Sequence, residues 1–272
     1  MTQSRRPWVI MPQIIGPACV GHVDTHALDR SAAHRVHVYT VNIHTFVLVS
    51  GAGGNGSYWN RVAPVLREAG YAVVAPDLPA GDDRAGIDEY ADAVAAAVGD
   101  ASGLAVVGQS LGAHTAAAVC DRVPVELLVF VAGMIPRVGE TAGEWWEATG
   151  QSAAKRRRDV LDGRDPNAPW DDAELFYHDV PPAVLADVLA EGEPAQSFTP
   201  FDSPFDATAW QTVPTRVIAG KLDRLFPFSF MSELALERLA VDVDPIDSGH
   251  LPALSRPGDL ARLLVAYAEG SR

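Results

Sequence analysis

The sequence predicts an α/β fold with a doubly wound, mostly parallel sheet and helices on both faces. Short apolar runs, such as 45–49 and 104–107, alternate with stretches of helical periodicity such as Ile87–Val98, which is the order expected of β-α-β units. The runs are apolar throughout, as is typical of strands buried on both faces. The chain has 272 residues, 48% of them hydrophobic, and can therefore bury the core of one such domain.

The predicted elements of the first half follow one another closely. They are an edge strand over 34–41, strands over 45–49, 71–75, 104–107 and 126–132, and helices over 59–66, 87–98 and 113–120. The first two helices carry apolar residues at three- and four-residue spacing, and the third is rich in alanine. Gly70 is expected to end the first helix.

The alternation stops near Pro136, and a long segment over 137–208 follows. It is rich in aromatic residues, namely Trp145, Trp146, Trp170, Phe176, Tyr177, Phe198, Phe201 and Phe205. A segment of this length between two strands predicts a helical lid rather than a second domain with its own sheet. Its basic run over 155–158 is expected to be a solvated helix face. Strands over 215–219 and 241–246 then resume the sheet, and a helix over 257–268 closes the chain.

Residues 1–33 lack the periodicity of core elements. We therefore expect a poorly ordered N-terminal extension, followed by one domain over 34–272. Ser4, Arg5 and Arg6 resemble the start of a twin-arginine export signal, but prolines interrupt the apolar helix that such a signal needs. A cytoplasmic protein is the expectation, with export as the alternative.

Charge and composition exclude several classes of function. A net charge of −14 argues against a nucleic-acid partner, and no apolar run approaches the ~20 residues of a membrane span. Cys19 and Cys120 are too few for a disulfide framework or a thiolate metal site. Five histidines lie in the first 44 residues. Because they lack cysteine or clustered carboxylate partners at ligand spacing, they predict no metal site.

The strongest chemical signal is the pentapeptide Gly-Gln-Ser-Leu-Gly over 108–112, which lies between a predicted strand and a predicted helix. A strand that ends at a serine and turns at once into a helix holds that serine in strained, exposed backbone at the carboxyl edge of the sheet. The residues two before and two after it must be small, because a Cβ there would collide with the neighbouring strand or helix. The alternative is an ordinary turn in which Ser110 is a helix N-cap.

Two further residues, Asp223 and His250, stand in loops that follow predicted strands. In a parallel sheet these loops open on the same edge as Ser110. A serine hydroxyl needs a base beside it, and the base needs a third group that fixes its tautomer. The chain order Ser110, Asp223, His250 is the order expected of a triad on such a sheet. The sequence therefore predicts these three as catalytic residues.

Two backbone N–H groups are predicted to form an oxyanion hole. Leu111, directly after the serine, supplies one from the start of the helix. The glycine-rich loop after the 45–49 strand brings the second, from Ala52, because glycines there let the backbone approach a substrate closely.

Five segments together resemble a known family: 46–53, 75–79, 108–112, 220–223 and 248–252. They resemble the signature motifs of the α/β-hydrolase fold, and are most similar to its branch of small carboxylesterases, plant methyl-ester esterases and hydroxynitrile lyases. The likeness covers about residues 45–270. It implies a serine esterase with a Ser-His-Asp triad, a lid before the acid-bearing strand, and no cofactor. The aromatic lid adds the expectation of an apolar small-molecule ester as substrate.

The sequence departs from this branch at two kinds of position. The usual His-Gly before the oxyanion residue is Ser50-Gly51 here. The lyase relatives carry a lysine directly after the catalytic histidine and a threonine at the position of Gly51, whereas this chain has Leu251 and a glycine. The resemblance therefore implies an esterase rather than a lyase.

Two alternatives from other classes stay open at this point. Glycines at 51, 53 and 56 fit G-x-G-x-x-G after a strand, and Asp77 follows about 20 residues on, which would predict an NAD(P)-binding oxidoreductase. That reading leaves the pentapeptide and the two loop residues unexplained, and no tyrosine has a lysine four positions later. The other is a non-catalytic binding protein on the same scaffold. His114 and His178 are expected to be structural.

Overall fold

Six parallel strands form one sheet in the order β2-β1-β3-β4-β5-β6 in the computed structural model, which describes residues 42–270. The strands are β1 (Thr45–Val49), β2 (Ala72–Val74), β3 (Leu104–Gln109), β4 (Leu127–Val131), β5 (Thr215–Gly220) and β6 (Val243–Ile246). Every neighbouring pair is parallel. Since β1 lies between β2 and β3, the chain winds first toward one edge of the sheet and then toward the other. The predicted fold class is confirmed.

Ten α-helices are present in the described part of the chain. They are α1 (Ala63–Glu68), α2 (Ile87–Val98), α3 (Gly112–Val119), α4 (Trp145–Ala148), α5 (Gln151–Leu161), α6 (Pro182–Ala190), α7 (Thr199–Asp202), α8 (Phe228–Leu239), α9 (Pro252–Ser255) and α10 (Pro257–Ala268). Short 3₁₀ turns cover Gly56–Trp59 and Ala209–Thr212, and a π-helical turn covers Ala173–Tyr177.

The centre of the sheet explains the uniformly apolar runs. All residues of β1, β3 and β4 are buried, because helices cover both faces of these strands. Helix α3 is also buried along its whole length. Its alanines therefore serve close packing between the sheet and the segment that follows β4.

Several elements differ from the sequence predictions. The helix predicted over 59–66 is a 3₁₀ turn ending at Trp59 and the later helix α1; Pro64 stands in the first turn of α1, where its missing N–H costs nothing. Helix α8 was not predicted. The strand predicted over 34–41 and the extension over 1–33 lie outside the described residues.

The segment between β4 and β5, over 137–208 and called the insertion below, has helices and turns but no strand. Its later part is fastened to two loops of the sheet domain. The backbone N–H of Ser197 donates to the carbonyl oxygen of Ala80 at 2.7 Å, and the side chain of Gln196 accepts from the backbone of Gly53 at 2.7 Å. Arg61 forms an ion pair with Asp187 at 2.6 Å. The insertion therefore rests directly on the loop after β1.

The basic run of the insertion lies in α5. Lys155 pairs with Asp159 at 2.6 Å and Arg158 pairs with Asp162 at 2.8 Å. Asp159 is almost completely buried and also contacts Arg164 at 2.9 Å. Part of this run is thus a local ion-pair network, beyond the solvated face expected from sequence.

No helix in residues 42–270 is long and apolar enough to cross a membrane.

Candidate active site

Ser110 occupies the sharp turn between β3 and α3. Its φ of 50° lies in the left-handed region, which a non-glycine residue rarely adopts. Its backbone N–H donates to the carbonyl oxygen of Val131, the last residue of β4, at 3.2 Å. A strained serine at the carboxyl end of a central strand is the backbone arrangement expected of a nucleophile elbow.

The two glycines of the pentapeptide permit this turn by close packing. A Cβ on Gly108 would lie 2.5 Å from the carbonyl oxygen of Gly112, and one on Gly112 would lie 2.4 Å from that of Ser50. Both contacts are with backbone, which cannot move aside cheaply. The sequence requirement for small residues at these positions therefore has a direct structural cause.

The three predicted triad residues come together at the carboxyl edge of the sheet. His250 Nε2 lies 3.1 Å from Ser110 Oγ, and His250 Nδ1 lies 2.9 Å from Asp223 Oδ2. Asp223 follows β5 and His250 follows β6, so parallel neighbouring strands deliver both side chains to one place. Ser110 and His250 are 140 positions apart in sequence. Only the fold brings them into contact.

The carboxylate of Asp223 is firmly held. Its Oδ1 accepts hydrogen bonds from the backbone N–H groups of Leu225 and Phe226, both at 2.8 Å, which leaves Oδ2 for His250. Asp223 is 3% exposed and His250 is 1% exposed. This pair is therefore shielded from water, which strengthens the electrostatic effect of the carboxylate on the imidazole.

The loop after β1 passes directly over the serine. A Cβ on Gly51 would lie 3.0 Å from Ser110 Cβ and 2.6 Å from Gln109 Oε1, so this glycine is required for the close approach. The backbone N–H groups of Ala52 and Leu111 donate to no residue of the described chain. Both amides are thus available for a bound oxyanion beside Ser110.

Ser50 supports this loop in place of the histidine usual in the resembling family. Its Oγ donates to the carbonyl oxygen of Asn55 at 2.6 Å, which ties the beginning of the loop to its end. The departure at Ser50-Gly51 thus leaves the loop braced by a different hydrogen bond.

The groups that would bind a dinucleotide make contacts within the protein instead. The carboxylate of Asp77, the candidate ribose ligand, accepts from the backbone N–H of Gly56 at 2.8 Å. A Cβ on Gly53 would lie 2.9 Å from Pro194 of the insertion, which covers the glycine loop. The loop also leads into a 3₁₀ turn instead of an α-helix that could receive a pyrophosphate. These contacts disfavour the nucleotide alternative.

Sequence reasoning missed four residues around His250. Gln109 donates from Nε2 to the carbonyl oxygen of His250 at 3.2 Å. The rings of Phe176 and Phe226 lie 5.4 Å and 4.9 Å from the imidazole, in edge-to-face arrangements. Asp179 accepts from the backbone N–H of the residue before His250. No local pattern marks these residues, because each contact joins distant parts of the chain.

Two further histidines of the described domain, His114 and His178, differ in environment. His114 is fully buried beside Phe205, and burial together with the charge of Arg238 lowers its pKa to about 3. Neither of its ring nitrogens has a hydrogen-bond partner among residues 42–270, and its structural role stays a prediction. His178 lies in the insertion next to the His250 loop. Burial, and to a lesser extent the charge of Arg224, lowers the pKa of His178.

No group of metal-ligating side chains occurs among residues 42–270.

Comparison with known proteins agrees with this fold. The model of the alpha/beta hydrolase family matches residues 46–263. Among curated proteins, the rice (Oryza sativa subsp. japonica) protein named Esterase PIR7B is 38% identical over 111 residues, which cover 36% of this chain and 41% of the rice protein. The match thus spans less than half of that relative.

Solved structures extend the likeness over most of the chain. A pyrethroid hydrolase from Sphingobium faniae JZ-2 aligns with a TM-score of 0.65 and 21% identity, over 84% of this chain and 98% of that one. Polyneuridine aldehyde esterase aligns with a TM-score of 0.66 and 21% identity, over 83% and 99%. At such identities these matches establish the fold.

Proposed function

The chain belongs to the alpha/beta hydrolase family, and we propose that it is a serine hydrolase that cleaves a carboxylic ester of an apolar small molecule. One observation carries the proposal: Ser110 Oγ, His250 and Asp223 form an unbroken hydrogen-bonded chain, with the serine in strained backbone at the edge of the sheet. The likeness to a protein named as an esterase supports the same reaction class.

In the first half of the reaction, Ser110 Oγ attacks the ester carbonyl carbon while His250 Nε2 takes the hydroxyl proton. The developing imidazolium is stabilised by Asp223 through Nδ1. The negative charge forms on the former carbonyl oxygen, next to the backbone N–H groups of Ala52 and Leu111. Each such donor contributes a factor of about 10² to 10³ to the rate.

Collapse of this intermediate breaks the bond to the alcohol oxygen, and the alcohol leaves with the proton that His250 carries. An acyl group then remains on Ser110. Water then attacks the acyl carbon while His250 takes one of its protons; the bond from this carbon to Ser110 Oγ breaks, His250 returns the proton to Oγ, and the carboxylic acid leaves. The reaction consumes only water and requires no cofactor.

An apolar substrate fits the side chains that face the base. Phe176 is contributed by the insertion and Phe226 by the loop after β5, and both contact the imidazole of His250. Apolar groups beside a triad favour ester substrates whose acyl or alcohol part is apolar. The names of the related proteins, a pyrethroid hydrolase and an aldehyde esterase, are consistent with such substrates.

A panel of p-nitrophenyl esters of increasing acyl length tests this function. We expect hydrolysis of short and medium acyl chains by the wild type, with Ser110→Ala and His250→Ala each reduced to less than about 1% of wild-type kcat. Labelling by a fluorophosphonate in parallel detects an activated serine even when no ester of the panel fits. Absence of both hydrolysis and labelling in the wild type would contradict the proposal.

A further inference from the structure

The π-helical turn Ala173–Tyr177 and the two residues after it contact both loops that carry the proposed acid and base. Glu174 pairs with Arg224, which directly follows Asp223. His178 makes a hydrogen bond with the backbone of Leu222. Two residues reach the other loop: Phe176 of this turn contacts the ring of His250, and Asp179, two residues after the turn, binds the backbone before it.

The contact of Asp179 is made with the residue directly before His250. Its Oδ2 accepts from the backbone N–H of Gly249 at 2.6 Å. A Cβ on Gly249 would lie 2.5 Å from Asp179 Oδ1 and 2.8 Å from His178 Nε2. The φ of Gly249 is not positive, so a glycine is needed here for the close approach of the carboxylate rather than for an unusual backbone conformation.

The backbone on either side of His250 is thereby fixed from two directions. Asp179 holds the amide before the histidine, and Gln109 donates to the carbonyl oxygen of the histidine itself. Asp223 fixes the ring at Nδ1. A displacement of about 1 Å at a catalytic group can lower a rate by a factor of about 10², so restraint of this loop bears directly on proton transfer from Ser110.

We propose that Asp179 is a positioning residue that holds the His250 loop in register with Ser110 and so makes the insertion part of the catalytic machinery. This inference rests on the proposed serine hydrolase function. Asp179 does not touch the reacting atoms. It acts through the Gly249 amide.

The neighbouring histidine makes a conservative variant informative. Asp179 Oδ1 and His178 Nε2 are both buried and have no hydrogen-bond partner among the described residues. Both atoms lie within 2.8 Å of the position that a Cβ on Gly249 would take. In Asp179→Asn, the amide oxygen can still accept from Gly249 while the amide nitrogen can donate to His178 Nε2. This variant preserves the restraint and satisfies one unpartnered atom.

The test compares Asp179→Ala, Asp179→Asn and Gly249→Ala with the control Asp187→Ala. The control removes another carboxylate of the insertion, the exposed partner of Arg61 in helix α6. We expect Asp179→Ala and Gly249→Ala to lower kcat about 10-fold to 100-fold, with KM within about twofold and fluorophosphonate labelling slowed by the same factor. Asp179→Asn and Asp187→Ala should stay within about threefold of wild-type kcat.

A kcat for Asp179→Ala within twofold of the wild type would overturn the inference. Equal losses of kcat in Asp179→Ala and Asp187→Ala would overturn it as well, because they would indicate a general loosening of the insertion. If Asp179→Ala fails to fold, the comparison of Gly249→Ala with Asp179→Asn decides. The downfield proton NMR signal of the His250 Nδ1–H reports placement without turnover: it should persist in Asp179→Asn and weaken in Gly249→Ala. A wild type that is not labelled but shows this signal would contradict the proposed function alone.

Discussion

Asp223 shows how backbone hydrogen bonds assign one oxygen of a carboxylate to one task. Its Oδ1 is occupied by the amides of Leu225 and Phe226, so in Asp223→Asn the amide nitrogen must take the place of Oδ2. That nitrogen donates, which forces His250 Nδ1 to accept and leaves a proton on Nε2, facing Ser110. The base then cannot take the serine proton.

We therefore expect Asp223→Asn to lower kcat by a factor of about 10³ to 10⁴, somewhat less than the loss of Ser110 or His250. Steady-state hydrolysis of the best p-nitrophenyl ester measures this, and an unchanged melting temperature serves as the folding control. A kcat within tenfold of the wild type would show that the carboxylate does not set the tautomer.

Gly51 and Leu251 separate ester hydrolysis from cyanide release. The residue directly after His250 is the uncharged Leu251, so cyanide would leave as an anion without a countercharge from that position and at a desolvation cost of several kcal/mol. The position of Gly51 also has no room for a side chain that could bind a substrate hydroxyl, since a Cβ there would lie 2.6 Å from Gln109 Oε1. We expect no cleavage of mandelonitrile above background. Cyanide release by the wild type that is lost in Ser110→Ala would refute this expectation.

His114 links stability to pH. Because its pKa is about 3 in the folded protein and near 6.5 when unfolded, only the unfolded chain takes up this proton as the pH falls from about 6.5 toward 3. Stability should therefore decrease on acidification, at up to about 1.4 kcal/mol per pH unit from this group. Urea unfolding at pH 6.5 and pH 5 should show a loss about 1 to 2 kcal/mol larger in the wild type than in His114→Leu. Parallel losses in the two proteins would contradict the assignment.

At the scale of elements, the turn between β3 and α3 depends on contacts of backbone with backbone. A Cβ on Gly108 would meet the carbonyl oxygen of Gly112 at 2.5 Å and the Cα of Ala113 at 2.8 Å. We expect Gly108→Ala to lower the free energy of unfolding by about 1 to 3 kcal/mol and to reduce activity, as measured by urea unfolding and ester hydrolysis.

Gly258 in α10 provides the matched control for this substitution. A Cβ there would meet only Arg262 Nη1, at 3.7 Å, and alanine is the better helix former. Gly258→Ala should therefore leave stability unchanged or raise it by up to about 1 kcal/mol. Equal effects of the two substitutions would mean that the tight packing at the turn is not what requires Gly108.

Elements with strong periodicity could be predicted from the sequence, and others could not. Helices α2 and α10 have the bounds that their apolar spacing predicts. The bounds of β6 differ, because the strand is short and only partly buried at the edge of the sheet. Helix α8 was missed although it also buries an apolar face. Its outer face carries the exposed Leu236, which blurs the apolar periodicity of this stretch.

At the scale of the whole molecule, topology explains why the triad was predictable and its surroundings were not. Every loop after a parallel strand opens on one edge of the sheet, so three residues after β3, β5 and β6 must lie near each other. The insertion obeys no such rule. The contact of Asp179 with Gly249 spans 70 positions and joins a turn of the insertion to a loop of the sheet domain, and only the packed structure reveals it.

The proposed reaction requires Ser110 to be a nucleophile that His250 activates. Reaction with a fluorophosphonate, followed by proteolysis and mass spectrometry, identifies the modified residue directly. We predict one label per chain on the peptide that contains Ser110, no label in Ser110→Ala, and labelling of His250→Ala slowed by at least about 10³. A wild type that stays unlabelled, or a label that remains in Ser110→Ala, would contradict the proposed function.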